Sequence, residues 1–110
     1  MNYTITPTPE FIRQVKLLAK KNRHIGDDLQ HLKNILANNP HFGTPIGNHC
    51  FKIRLSNSSN SKGKSGGYRV ITYCFDENEI IRLLLIYTKN DRDSVSDIEI
   101  IEVLKNNGLI

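Results

Sequence analysis

The alternation of apolar and polar residues near the start of the chain predicts a short strand followed by two helices. The segment Tyr3–Thr6 alternates with the period of a strand. Thr8 can cap a helix whose first residue is Pro9, and apolar residues then recur at helical spacing. After a polar break, a second amphipathic helix is expected to begin at Asp27 or Asp28. These two helices should form a hairpin.

The remainder of the chain predicts three strands and a last helix. Strands are expected at Ile46–Leu55, at Tyr68–Phe75 and at Ile80–Lys89, the last two joined by a hairpin turn at Asp76–Glu79. A capping-box pattern that begins at Ser96 predicts the final helix. The order β-α-α-β-β-β-α predicts a single α+β domain over the whole chain, with helices packed on an antiparallel sheet of about four strands.

The strand at the middle of the chain separates apolar from basic residues. Phe51, Ile53 and Leu55 alternate with Lys52 and Arg54. Because successive side chains of a strand point to opposite faces, the apolar set should pack beneath the helical hairpin. The two cations should then lie on the other, open face of the sheet. Arg69, on the next strand, can join them there if the register allows it.

The segment that contains these strands carries basic residues and no acidic ones. The formal net charge is +4, but residues 29–75 contain no Asp or Glu. A block with cations alone is typical of a surface that binds a polyanion, most plausibly nucleic acid, although a solvated basic face would leave the same pattern. The cations of this block are Lys33, Lys52, Arg54, Lys62, Lys64 and Arg69.

The loop KGKSGG at 62–67 combines lysines with glycines ahead of a strand. Lysines attract phosphate, and glycines allow backbone N–H groups to approach it closely. A hairpin loop without a ligand is the competing interpretation. The segment is a poor match to an ATP-binding P-loop, because it precedes a strand rather than a helix. Binding of nucleoside triphosphates is therefore rejected.

The cysteines, the histidines and the apolar runs of the sequence bear on disulfide or metal sites, on acid–base catalysis and on membrane insertion. Cys50 and Cys74 fall in predicted strands without a CxxC pair, so we interpret them as buried apolar residues and predict neither a disulfide nor a metal site. Of the four histidines, only His49 lies close to the basic strand, and no acid–base pair is evident. The apolar run at 80–87 is too short to span a bilayer and no signal peptide is evident, which favours a cytoplasmic protein.

Three segments in order resemble the RelE toxin family: FKIRL at 51–55, GKSGGYRVITY at 63–73 and LLLIYTKND at 83–91. The GKSGG sequence before the arginine is most similar to the HigB-type branch of the RelE/ParE superfamily. The resemblance implies a compact RelE fold and the toxin of a type II toxin–antitoxin system. Such toxins cut messenger RNA in the ribosomal A site without a metal or cofactor. They are held inactive by a cognate antitoxin, and operator DNA is bound only by the toxin–antitoxin complex.

The chemistry of RNA cleavage suggests roles for particular cations. Arg69 is the best candidate for bidentate contact with the scissile phosphate. Lys52 is better suited than Arg54 to proton transfer, because arginine does not readily give up its proton. Lys89, in the third shared segment, could bind phosphate or protonate the leaving group. The further residues expected to bind RNA are Lys62, Lys64, Ser65, Tyr68 and Arg92.

The sequence also departs from the family pattern. Asn90 and Ser96 stand where RelE has an arginine and a tyrosine, and Arg92 could replace the former. Two other interpretations therefore stay open. One is a ParE-like toxin that acts on DNA gyrase without chemistry of its own. The other is a catalytically weak module that acts with its antitoxin in operator binding.

Overall fold

The structure is a computed structural model that describes residues 2–59 and 67–110. Five strands and three α-helices are present among these residues, with a short 3-10 turn at Asp76–Asn78. In chain order the elements are β1 (Thr4–Pro7), α1 (Pro9–Ala19), α2 (Ile25–Asn38), β2 (Thr44–Gly47), β3 (Cys50–Leu55), β4 (Tyr68–Phe75), β5 (Ile80–Thr88) and α3 (Asp97–Asn106).

The strands form one mixed sheet in the order β1-β5-β4-β3-β2. The predicted α+β class is confirmed, but the sheet differs from the expected one in two ways. It has five strands rather than about four, and β1 runs parallel to β5 instead of antiparallel. A parallel pair needs a long crossover, and the whole chain between β1 and β5 supplies it.

The extra strand arises because the predicted strand Ile46–Leu55 is in fact a hairpin. Asn48 and His49 both have positive φ, at 54° and 62°, and they turn the chain between β2 and β3. Two consecutive left-handed residues give the turn that matches the twist of adjacent strands. Gly47, directly before this turn, also has a positive φ, at 90°. Asn and His adopt the left-handed conformation more often than most other non-glycine residues.

The predicted first residue is right for α1 and wrong for α2. At α1 the prediction is confirmed: the Thr8 hydroxyl accepts from the Phe11 N–H at 3.1 Å, and Pro9 is the first helical residue. The second helix begins at Ile25 rather than at the predicted Asp27 or Asp28. The carboxylate of Asp28 instead accepts a hydrogen bond from the backbone N–H of Ser58 at 3.0 Å, so it joins α2 to the segment after β3.

Apolar side chains fill both faces of the sheet. Helices α1 and α2 cover one face, where Ile53, Leu55 and Val70 are buried as the strand alternation predicted. Helix α3 packs on the other face against Ile71 and other apolar strand residues. The face opposite the helical hairpin is therefore covered in part. No helix within the described ranges is long and apolar enough to cross a membrane.

Candidate nucleic-acid interface

The pairing of β3 with β4 brings the predicted basic residues together. Arg54 and Arg69 are Cα partners, and Lys52 is the partner of Ile71. Because alternate residues share a face, Lys52, Arg54 and Arg69 all lie on the face opposite the helical hairpin. These three residues, with Phe42, Gly43 and Thr44, line one depression of the surface, which we call the cationic groove.

The three cations of the groove differ in exposure. Arg69 is 6% exposed, and its Nη1 donates to the carbonyl of Tyr68 at 3.4 Å. Lys52 is half-buried and Arg54 is exposed. Among the described residues that line the groove there is no Asp or Glu. A buried arginine beside two further cations creates a positive potential that favours a phosphate group.

The sequence analysis missed the residues that form the second wall of the groove. Phe42, Gly43 and Thr44 come from the connection between α2 and β2 and from the start of β2. Phe42 is 37% exposed, so part of its side chain is accessible to a ligand in the groove. No periodic pattern marks a loop residue of this kind, so only the fold reveals that it lies beside the cations.

Gly43 sets how closely this wall approaches the strand. Its φ is +111°, and a Cβ added there would lie 2.7 Å from the Lys52 carbonyl oxygen and 2.8 Å from Cγ1 of Ile53. Any larger residue would have to displace the backbone of β3. The glycine therefore fixes the distance between Phe42 and the basic strand.

Lys89 does not line the groove. It is exposed and follows the last residue of β5, in a turn closed by the backbone bond from Asp91 N–H to the carbonyl of Thr88. Tyr87, two residues earlier, is the Cα partner of Arg69. The role of Lys89 stays a prediction.

Arg92 is held by contacts within the protein. Its Nη1 and Nη2 donate to the two carboxylate oxygens of Glu99 at 3.1 and 2.7 Å, and its Nε donates to the carbonyl of Ser94 at 3.0 Å. The hydrogen bonds to Glu99 raise the pKa of Arg92. Ser96 caps α3 as predicted, by accepting from the Glu99 N–H, but the Glu99 side chain pairs with Arg92 rather than completing a capping box.

Tyr68, another predicted RNA-binding residue, does not line the groove. Tyr68 is fully buried in the core beneath the helical hairpin, and burial raises its pKa to about 12. Its contribution is therefore to packing. The predictions for Lys62, Lys64 and Ser65 fall on a segment outside the described residues.

His49 lies at the far end of the sheet from Arg69. Its ring contacts Tyr73 and Phe75 edge-on, with ring centroids 6.1 and 5.7 Å apart. Tyr73 and Arg69 are four residues apart on β4, which corresponds to about 13 Å along a strand. We therefore leave His49 out of the candidate site.

Comparison with known proteins identifies the fold. No protein-family model matches the chain, and no curated protein gives a significant match. Two solved structures of the Escherichia coli toxin RelE are similar: a double mutant in the free state, with a TM-score of 0.61, and the isolated toxin, with a TM-score of 0.55. Each is 18% identical to this chain, and each match covers 96% of this chain and 98% of the RelE chain. The protein has a RelE-like fold.

Proposed function

We propose that this protein is the toxin of a type II toxin–antitoxin system and that it cleaves messenger RNA. The observation that carries the proposal is the convergence of Lys52, Arg54 and Arg69 in one groove of a RelE-like fold. A site of this kind suits phosphodiester chemistry, because the charge that develops on the phosphorus oxygens needs cations held in place beforehand.

The reaction we propose begins with attack of a ribose 2′-hydroxyl on the adjacent phosphorus. The new bond from 2′ oxygen to phosphorus replaces the bond to the 5′ oxygen, and the products are a 2′,3′-cyclic phosphate and a 5′-hydroxyl end. Arg69 would hold two non-bridging oxygens of the phosphate through its planar guanidinium. Arg54, opposite Arg69, would add positive charge at the same phosphate.

Two protons must move in this reaction, one from the 2′-hydroxyl and one to the departing 5′ oxygen. Lys52 is the residue of the groove suited to proton transfer, because an arginine is effectively always protonated. Lys89, in the turn after β5, is our candidate for protonating the leaving group. Both assignments are proposals.

Phe42 gives the groove a surface on which a nucleotide base can stack. Single-stranded RNA is commonly held by aromatic side chains that stack on its unpaired bases, beside cations that bind its backbone. Phe42 and Arg69 line the same depression, so a base and its phosphate could be engaged together. We propose single-stranded messenger RNA in the ribosomal A site as the substrate.

The cognate partner we propose is an antitoxin with an acidic segment. A groove that contains cations and no carboxylate among its described lining residues suits such a segment, which would mask the RNA site by charge. The toxin–antitoxin complex, rather than the toxin alone, would bind operator DNA. We place this activity in the cytoplasm, where translated messenger RNA is found.

The test is to map cleavage of a reporter messenger by primer extension after brief induction of the protein. Wild type is compared with Arg69→Gln and with Arg13→Gln, an exposed arginine of α1 that serves as the control. We expect codon-phased cuts that require translation and Arg69 but not Arg13. Cuts in an untranslated reporter would indicate a free ribonuclease, and growth arrest without cuts would indicate a different target such as DNA gyrase.

A further inference from the structure

A second cluster of reactive side chains lies at the opposite end of β4 from Arg69, around the carboxylate of Asp76. Its Oδ1 accepts from the hydroxyl of Tyr3 at 2.8 Å and lies 3.4 Å from the Cys74 Sγ. The Nε2 of His41 lies 2.8 Å from Oδ1 and 2.9 Å from Oδ2. The cluster thus joins the residue before β1, the end of β4 with the turn that follows it, and the connection between α2 and β2.

An imidazole, a thiol and a carboxylate together form a ligand set that zinc and related divalent ions prefer. The ligand atoms of His41, Cys74 and Asp76 all lie within 4.8 Å of one another. A zinc ion bonded at about 2.0–2.3 Å holds its ligand atoms about 3.3–3.8 Å apart. The side chains would therefore need to shift by only about 1 Å to enclose a metal.

We propose that His41, Cys74 and Asp76 form a binding site for a divalent transition-metal ion, of which zinc is the best match. His41 would bind through Nε2, Cys74 through its thiolate and Asp76 through one oxygen, with water in the fourth position. One thiolate and one carboxylate balance the double positive charge of the ion. The hydroxyl of Tyr3, which already donates to Asp76, would orient that carboxylate from behind.

The exposure of the ligands is compatible with entry of an ion from solvent. The side chains of His41 and Asp76 are 49% and 57% exposed, whereas Cys74 is buried beneath them. Burial and the hydrogen bond to Asp76 raise the pKa of Cys74 to about 12, so its sulfur carries a proton in the absence of metal. Binding of the ion would replace the S–H bond with a metal–sulfur bond and release that proton to solvent.

This site is separate from the cationic groove. Cys74 packs with the core residues beneath the helical hairpin, whereas the groove lies on the opposite face of the sheet. The two sites adjoin along the chain, because His41 directly precedes Phe42. The inference therefore does not rest on the proposed RNA cleavage, and a metal here would stabilise the folded protein by joining distant chain segments.

The experiment is a titration of the intact, chelator-treated protein with Co²⁺, followed by displacement with Zn²⁺. Coordination by Cys74 should produce the near-ultraviolet charge-transfer band of a cobalt–thiolate bond at one ion per chain. Cys74→Ser should abolish this band. His41→Gln, at a half-exposed position, should weaken cobalt binding by at least about tenfold, with thermal unfolding as the check that the variant folds.

The matched control is Cys50→Ser, because Cys50 is an equally buried free cysteine on the neighbouring strand. It should retain both the band and the affinity for cobalt. If Cys74→Ser does not fold, protection of Cys74 from alkylation by Zn²⁺ in the unaltered chain tests the same bond. Absence of the cobalt–thiolate band, or equal affinity in wild type and His41→Gln, would overturn the proposal and leave the cluster as a hydrogen-bonded junction.

Discussion

Arg54 and Arg69 are directly opposite each other across β3 and β4, on the same face of the sheet. Like charges in this arrangement destabilise a pair of strands. The described residues that line the groove around them provide no carboxylate. An anion bound beside Arg54 and Arg69 would offset this repulsion, and we propose that this anion is a phosphate of RNA.

Replacing Arg69 should abolish most of the RNA cleavage. We expect Arg69→Gln to lower the cleavage rate by about 100–1000-fold, the usual cost of losing one group that stabilises transition-state charge. Arg69→Lys should recover little of it, because an ammonium group cannot make the bidentate contact. Cleavage is measured in a translation extract, and thermal unfolding confirms that each variant folds. Activity of Arg69→Gln equal to that of Arg13→Gln would show that the phosphate lies elsewhere.

Replacing Lys52 with arginine should lower RNA cleavage, whereas replacing Arg54 with lysine should leave most of it. Lys52→Arg keeps the charge but removes the group that can transfer a proton, so RNA should still bind while cleavage falls by about 100-fold or more. Arg54→Lys keeps the charge that we propose for this position and should retain most of the cleavage. The measurement is RNA affinity and single-turnover cleavage for both variants. Full cleavage by Lys52→Arg would rule out proton transfer by Lys52.

Phe42→Ala should weaken RNA binding by about 1–3 kcal/mol, the range found for loss of one base-stacking contact. Phe42→Tyr should bind like wild type, because the aromatic face is kept. Leu17→Ala is the control, since Leu17 is an exposed apolar residue on α1 outside the groove. The measurement is a filter-binding or fluorescence titration with a short single-stranded RNA. Equal affinities for Phe42→Ala and Leu17→Ala would exclude stacking at Phe42.

Gly43→Ala should destabilise the protein by more than about 1 kcal/mol, because its positive φ and its contact with the Lys52 carbonyl both oppose a side chain. RNA cleavage should fall as well, since the backbone of Lys52 would be displaced. Gly26→Ala is a close control: a Cβ there meets nothing within 4 Å, and the helical position should gain up to about 1 kcal/mol. The free energies of unfolding of the two variants are compared by denaturant unfolding. Similar values for Gly43→Ala and Gly26→Ala would contradict the prediction.

The Asp76 cluster should make stability depend on pH. In metal-free buffer, hydrogen bonds from Tyr3 and then from His41 hold the pKa of Asp76 below its ordinary value of 3.8. A lowered carboxyl pKa contributes stability above the unfolded value, and this contribution is lost as pH falls through the folded value. Asp76→Asn should therefore destabilise the protein at pH 7, and the difference from wild type should shrink as pH falls below about 4.

The hydrogen bond from the Tyr3 hydroxyl to Asp76 raises the pKa of Tyr3 from 10.0 to about 12. Its contribution to stability should be present below pH 10 and be lost as pH rises towards 12. Unfolding of wild type and Asp76→Asn is followed across both pH ranges, with Glu77→Gln as the control because Glu77 is an exposed carboxylate of the same turn. A constant difference between wild type and Asp76→Asn at every pH would show that the hydrogen bonds do not depend on ionisation.

Local patterns in the sequence determined most of the secondary structure. Thr8 and Pro9 specified the start of α1, and alternation along β3 placed Ile53 in the core and Arg54 on the opposite face. These features depend on neighbours within a few residues, which a single sequence displays directly. The division of β2 from β3 was missed although Gly47 and Asn48, which both have positive φ, are residue types typical of hairpin turns.

The tertiary structure decided which distant residues meet. Register between β3 and β4 placed Arg54 opposite Arg69, and a shift of one residue would have turned one of them into the core. Tertiary packing also brings Asp76 into contact with Tyr3 and His41, which lie 73 and 35 residues away from it along the chain. No local pattern encodes such pairs, because long-range contacts arise from how the sheet and helices pack. Local sequence patterns thus encode the basic strands and the helical hairpin, whereas the groove and the histidine–cysteine–aspartate cluster form when distant segments pack together.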